Sequence, residues 1–332
     1  MTKTSALWGS YWDGYPRAFL RRSLFAMSTF EFAGQAYQIA RMAGDHQHYE
    51  ATGSLSHALA PFPLFAWVLF AVLLVGLLLV VTDRAPVRGG IGALLVMSFM
   101  SLWQTEIAGS PSRNSFFVGA ALLGWTLGQG WAQRIGGEAS GVASRERLAE
   151  AGTLGALAAA YVASALSKLL STGLEWTNPS QIRSLVLAQE PVADWAWLAL
   201  YRETLLASPD LARGAAAATL IIEGGALLLL FGPRLRLVWA ALIFGMHVNI
   251  ILLCTMPYIE PMFFMLTFAV PWPFILRMKR IDEPELTPRI PREMAAVLIG
   301  IVILAACLSP FGWRAFNGDH PHHDDHSSAH HH

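Results

Sequence analysis

Charge is what this chain has least of. Asp, Glu, Lys and Arg make up only 14% of its 332 residues, where soluble domains carry about 25%. With 54% hydrophobic residues and a mean hydropathy of +0.44, a soluble fold is excluded. The few charges cancel, 23 basic against 23 acidic. There is no basic footprint for nucleic acid, and no nucleic-acid partner is expected. Cysteine is nearly absent too. Cys254 and Cys307 lie in apolar runs, which leaves no disulfide framework and no CxxC site; both read as packing residues. The opening MTKTSALWGSYWDGY lacks the apolar run of a secretory signal, and no internal repeat is evident. The chain is expected to enter the membrane by its own helices, with lipid as its first partner.

What is present is a series of apolar segments. A weakly apolar helix follows Arg17, Arg21 and Arg22 and ends near Met42. Its polar residues Ser28, Glu31, Gln35 and Gln38 recur at helical spacing. In lipid those groups would go unsatisfied, so the stripe must face other helices or a wet cavity. Further spans are expected at 61–81, 90–107, 116–133, 148–170, 214–231, 237–256, 262–276 and 294–308. The spacing thus predicts an all-α, polytopic transmembrane bundle of about nine spans over 1–316. A polar tail follows at 317–332.

Between 171 and 213 the chain leaves the membrane. SQIRSLVLAQE and ADWAWLALYRETLLAS read as short helices, with Ser180 and Asp194 as expected caps. Trp195, Trp197 and Tyr201 suit the headgroup level. With the N-terminus in the cytoplasm, alternating loops place sixteen Lys and Arg inside and seven outside. That bias obeys the positive-inside rule. It predicts an inner-membrane protein whose C-terminus and Trp-rich loop face the periplasm.

The chemistry centres on YVASALSKLLSTGLEW, residues 161–176. Tyr161, Ser164 and Lys168 share one face of an otherwise apolar helix. A lysine at lipid depth costs roughly 3 kcal/mol or more. Either it snorkels from the helix end to water, or it is a buried amine facing a cavity and able to act as a base. Two more ionisable residues, Glu223 and His247, lie on a helical hairpin around Gly232-Pro233. Counted from that turn, they fall within about 5 Å of the same depth. A Glu–His pair there is a proton relay, a ligand site or a structural bond between helices. Gly224 and Gly225 beside Glu223 favour close helix packing.

The tail holds His320, His322, His323 and His326 among Asp319, Asp324 and Asp325. Imidazole and carboxylate clusters of this kind bind Zn, Cu or Ni weakly by ligand type. The final His330, His331 and His332 are also compatible with a purification tag. His46 and His48 are a lesser metal candidate.

The order of these features resembles the HTTM family, the membrane domain shared with vitamin K-dependent gamma-carboxylase. Tyr49 and Gly53 in the first outward loop, Asn114 before the fourth span, and Tyr161, Lys168-Leu169 and Trp176 carry the resemblance. So do Glu223 before a short turn and Phe244 with His247 on a later helix. The resemblance implies a quinone or hydroquinone cofactor and a base role for Lys168. Glu223 and His247 would be its catalytic companions, with Tyr161, Ser164 and Trp176 lining the cofactor. Asn178 stands where the family usually has glycine, and the short tail has no counterpart to the carboxylase's large lumenal region. The resemblance therefore extends to quinol chemistry and not to peptide carboxylation. Two rival readings stand beside it: a non-catalytic membrane subunit that anchors a membrane or periplasmic protein, and a periplasmic metal-handling protein.

Overall fold

The computed structural model describes residues 17–43, 58–59, 61–108, 113–136, 142–256 and 258–275. Among them all regular structure is helical. The long helices are α1 (Arg17–Ala43), α2 (Phe65–Val81), α3 (Pro86–Ala108), α4 (Arg113–Gly136) and α5 (Val142–Thr172). After a 3₁₀ turn at Gly173–Thr177 come the short α6 (Pro179–Leu187) and α7 (Ala196–Ala207). Next are α8 (Pro209–Gly224), which tightens into a 3₁₀ segment at Gly225–Leu230, and α9 (Gly232–Cys254). A broken segment closes the described chain: α10 (Ile259–Phe264), a π turn at Met265–Ala269, and α11 (Trp272–Ile275).

Four segments are long and apolar enough to cross a membrane: Pro86–Ile107, Leu148–Thr177, Pro209–Leu230 and Gly232–Cys254. Phe65–Val81 and Ile259–Ala269 are apolar but shorter. The protein is thus a helical, multi-pass membrane protein. Its lipid-facing character shows in Val68, Val72, Val75, Leu95 and Leu102, large apolar side chains left at least half exposed.

The expected segment at 262–276 is not one helix, because the chain switches to a π turn and then to Pro271. The basic run after it, the expected span at 294–308, Cys307 and the tail with His320, His322, His323 and His326 lie outside the described residues. So do His46, His48, Tyr49 and Gly53.

At the core, α4 packs on α5 backbone to backbone. A Cβ added at Gly124 would lie 2.2 Å from the Gly152 carbonyl oxygen, and one at Gly128 would lie 2.2 Å from that of Leu148. Small residues let helices meet this closely where the hydrophobic effect gives no help. The α1 stripe is satisfied in part, and Ser28 Oγ and Gln35 Oε1 stay buried without a partner. Gln35 Nε2 donates to Glu31 Oε1 at 3.1 Å, and Gln104 Nε2 on α3 donates to Gln38 Oε1 at 2.8 Å. At one end of the bundle Arg21 on α1 meets Asp83 at 3.8 Å and Glu146 on α5 at 3.2 Å; Arg145 meets Asp83 at 3.6 Å.

The 171–213 region folds as two short helices, but not with the expected caps. Asn178, not Ser180, caps α6: its Oδ1 accepts from the Ser180 N–H at 3.1 Å. The reason lies in Pro179, which resists helical geometry in the residue before it and so fixes the helix start. Helix α7 begins after an extended Trp195, without a side-chain cap from Asp194. Ser208 caps α8, so the span expected at 214–231 starts before Arg213 rather than after it. Arg202 ties the region to the bundle by donating to the carbonyls of Val186, Gln189 and Leu253. Tyr201 adds a bond to Asn249 Oδ1 at 3.1 Å. Trp195 and Trp197 stack at 5.5 Å and are half exposed.

Candidate functional site

Helix α5 supplies the site's spine. Its apolar, Ala-rich faces bury against the bundle, while Tyr161, Ser164 and Lys168 fall at steps of three and four on one edge. That edge meets α8 and α9. Lys168 Nζ lies 2.6 Å from both carboxylate oxygens of Glu223, whose side chain is only 8% exposed. Ser164 donates a further hydrogen bond to Glu223. Where the chain turns after α5, Trp176 brings its ring to 5.1 Å from Lys168 Nζ, within cation–π range. The Lys168 ammonium ends on a carboxylate.

Seven residues earlier on the same edge, the Tyr161 hydroxyl and His247 Nε2 are 2.8 Å apart. Both side chains are buried. Phe117 on α4 lies 4.9 Å from the Tyr161 ring, and Tyr258 lies 5.0 Å from the His247 ring. The expected Glu223–His247 pairing is replaced by two pairings through α5. Glu223 takes Lys168 and His247 takes Tyr161, at positions about 10 Å apart along the α5 axis. The site is a polar strip along one helix rather than a single point.

Local structure explains how Glu223 is held. Helix α8 loses its regular ladder at the Gly224-Gly225 pair. Trp239 of α9 fills the gap there: a Cβ at Gly225 would meet its ring at 2.1 Å. The indole Nε1 donates to the Ile222 carbonyl at 2.9 Å. Glu223 thus sits between a carbonyl pinned by α9 and a glycine that admits the pinning ring. Reading the sequence missed Trp239. A glycine pair beside a buried acid and a Trp across a hairpin turn were the available signal.

Two polar atoms in the strip are buried without a partner, His247 Nδ1 and Trp176 Nε1. Buried polar groups are normally satisfied, so each marks a place for a further polar group. All six expected site residues outside the tail, Lys168, Glu223, His247, Tyr161, Ser164 and Trp176, fall within this one strip. Among the described residues no group of three or more His, Cys, Asp or Glu is arranged to hold a metal ion. Compared with known protein families, with curated proteins and with solved structures, the chain matches none.

Proposed function

We propose that this is an inner-membrane protein of the HTTM type that moves a proton to and from a lipid-soluble hydroquinone at the Lys168–Glu223–His247 strip. One observation carries the reading. Polar residues from α5, α8 and α9, far apart in sequence, converge on one edge of α5 and still leave His247 Nδ1 and Trp176 Nε1 unpartnered.

The residues suit such a ligand. Trp176, Phe117 and Tyr258 offer aromatic faces, and the two orphaned nitrogens offer polar contacts to a ring oxygen. A hydroquinone would bring a weakly acidic hydroxyl. On the protein's side, the Lys168–Glu223 pair can hold a proton on either partner without a net change in its own charge. Tyr161 fixes which His247 nitrogen faces inward. Oxygen as the final electron acceptor belongs to the same reading.

Lys168→Arg tests it, because arginine keeps the ion pair but does not release a proton near neutral pH. Quinol-dependent oxygen uptake in reconstituted vesicles should be abolished in Lys168→Arg while thermal stability in detergent stays near wild type. Uptake that persists in Lys168→Arg removes Lys168 as the base. Absence of uptake in the wild type removes the enzyme reading and leaves the polar strip as a structural bond among helices.

The same reading sets nine passes, counting 294–308, with the N-terminus cytoplasmic and the C-terminus periplasmic. Convergence of Arg21, Asp83, Arg145 and Glu146 at one end supports alternating passes up to α5. The basic asymmetry supports that end as the inner one. A cysteine introduced as Ser327→Cys should react with an impermeant thiol reagent in intact cells. Labelling only after lysis reverses the orientation.

A further inference from the structure

A second ionisable cluster lies outside the strip. On α1, Ser28, Glu31 and Gln35 stand on one helix face. From α10, Glu260 reaches the same place, 2% exposed, with its carboxyl within interaction range of that of Glu31. Two carboxylates this close, with Glu260 buried, repel each other unless a proton or another cation lies with them.

The surroundings are built for a positive charge. Glu260 Oε2 is buried with no partner, and so are Gln35 Oε1 and Ser28 Oγ. Gln35 is 2% exposed and Ser28 wholly buried. The Gln35 amide is already aimed at the pair, because its Nε2 donates to Glu31 Oε1 at 3.1 Å. Its carbonyl oxygen, on the same planar group, is left over as an acceptor. Together with the free Glu260 oxygen of the pair, the Gln35 carbonyl and the Ser28 hydroxyl make up a hard-oxygen set of the kind small cations prefer.

We infer that Glu31 and Glu260, with Gln35 and Ser28, form a binding site for one monovalent cation, a proton or an alkali ion, inside the helix bundle. The site is separate from the quinol reading, though not remote from the strip. Glu260 lies two residues from Tyr258, whose ring rests on His247.

The test uses the full chain in detergent, with a hydrophobic carbodiimide as probe. Such reagents couple to protonated carboxyls in apolar surroundings. In sodium-free choline buffer, mass spectrometry should find the adduct on Glu31 or Glu260, and it should be lost in Glu31→Gln/Glu260→Gln. Loss of wild-type labelling on adding sodium chloride, but not choline chloride, makes the occupant an alkali ion. Labelling indifferent to sodium makes it a proton. If neither glutamate is labelled in sodium-free buffer, the inference is overturned. The wild-type arms stand even if the double variant does not fold, and none of them depends on quinol activity.

Discussion

Glu223→Gln should be among the most damaging single substitutions in this protein, costing about 3–5 kcal/mol of stability. Glutamine keeps the shape and removes the charge, so the Lys168 ammonium is left in place without its counter-ion. Breaking a buried pair from one side carries a penalty of about that size, because the remaining charge is stranded. Glu223 is the more buried partner, its side chain 8% exposed against 20% for Lys168; the stranded ammonium keeps some access to water, which favours the lower end. Removing both charges is a different experiment. Lys168→Met/Glu223→Leu replaces the pair by apolar side chains and should return to within about 1–2 kcal/mol of wild type, or exceed it. Thermal unfolding of the single and double variants in one detergent measures both. If Glu223→Gln unfolds like wild type, the 2.6 Å contact does not hold the helices together.

That result bears on what could be read from the amino-acid order. The polar edge of α5 was legible because a helix places residues three and four apart on one face, whatever lies opposite. For Glu223 and His247 the hairpin count told neither pairing nor depth: expected within about 5 Å of one level, they meet α5 at positions about 10 Å apart. Lys168 and Glu223 are 55 positions apart, and Tyr161 and His247 are 86 apart. No local rule chooses between two hairpin residues bonding each other and each bonding a third helix. Packing makes that choice, through the glycines that bring α4 to α5 and the Trp239 ring seated on Gly225.

Helix ends were partly legible. The pre-proline position fixed Asn178 as a cap more firmly than the preference for serine. The Glu31–Glu260 contact was hidden for a different reason. Glu260 sits in a stretch, from Pro257 to Pro261, that reads as a turn between the spans expected at 237–256 and 262–276. In the fold it opens α10 and is carried into the bundle.

The other large effect concerns the backbone contact on which α5 depends. Gly152→Ala should destabilise the protein by at least about 1–3 kcal/mol, the usual cost of overpacking. The added carbon would lie 2.2 Å from the Gly124 carbonyl oxygen. Because that neighbour is backbone, it cannot rotate away as a side chain would, so α4 and α5 must separate. Gly119→Ala and Gly92→Ala are the controls. Nothing lies within 4 Å of an added Cβ at either position, and alanine favours a helix interior by about 1 kcal/mol over glycine. These variants should be neutral or stabilised. Separation of α4 from α5 should also reach the site, because Tyr161 packs against Phe117 of α4 at 4.9 Å while holding His247. Gly152→Ala is therefore expected to lower both the unfolding temperature and any quinol-dependent uptake, with Gly119→Ala changing neither adversely. Equal behaviour of the two variants would mean that the glycine contact does not set the helix spacing, and that the strip along α5 is positioned by α8 and α9 alone.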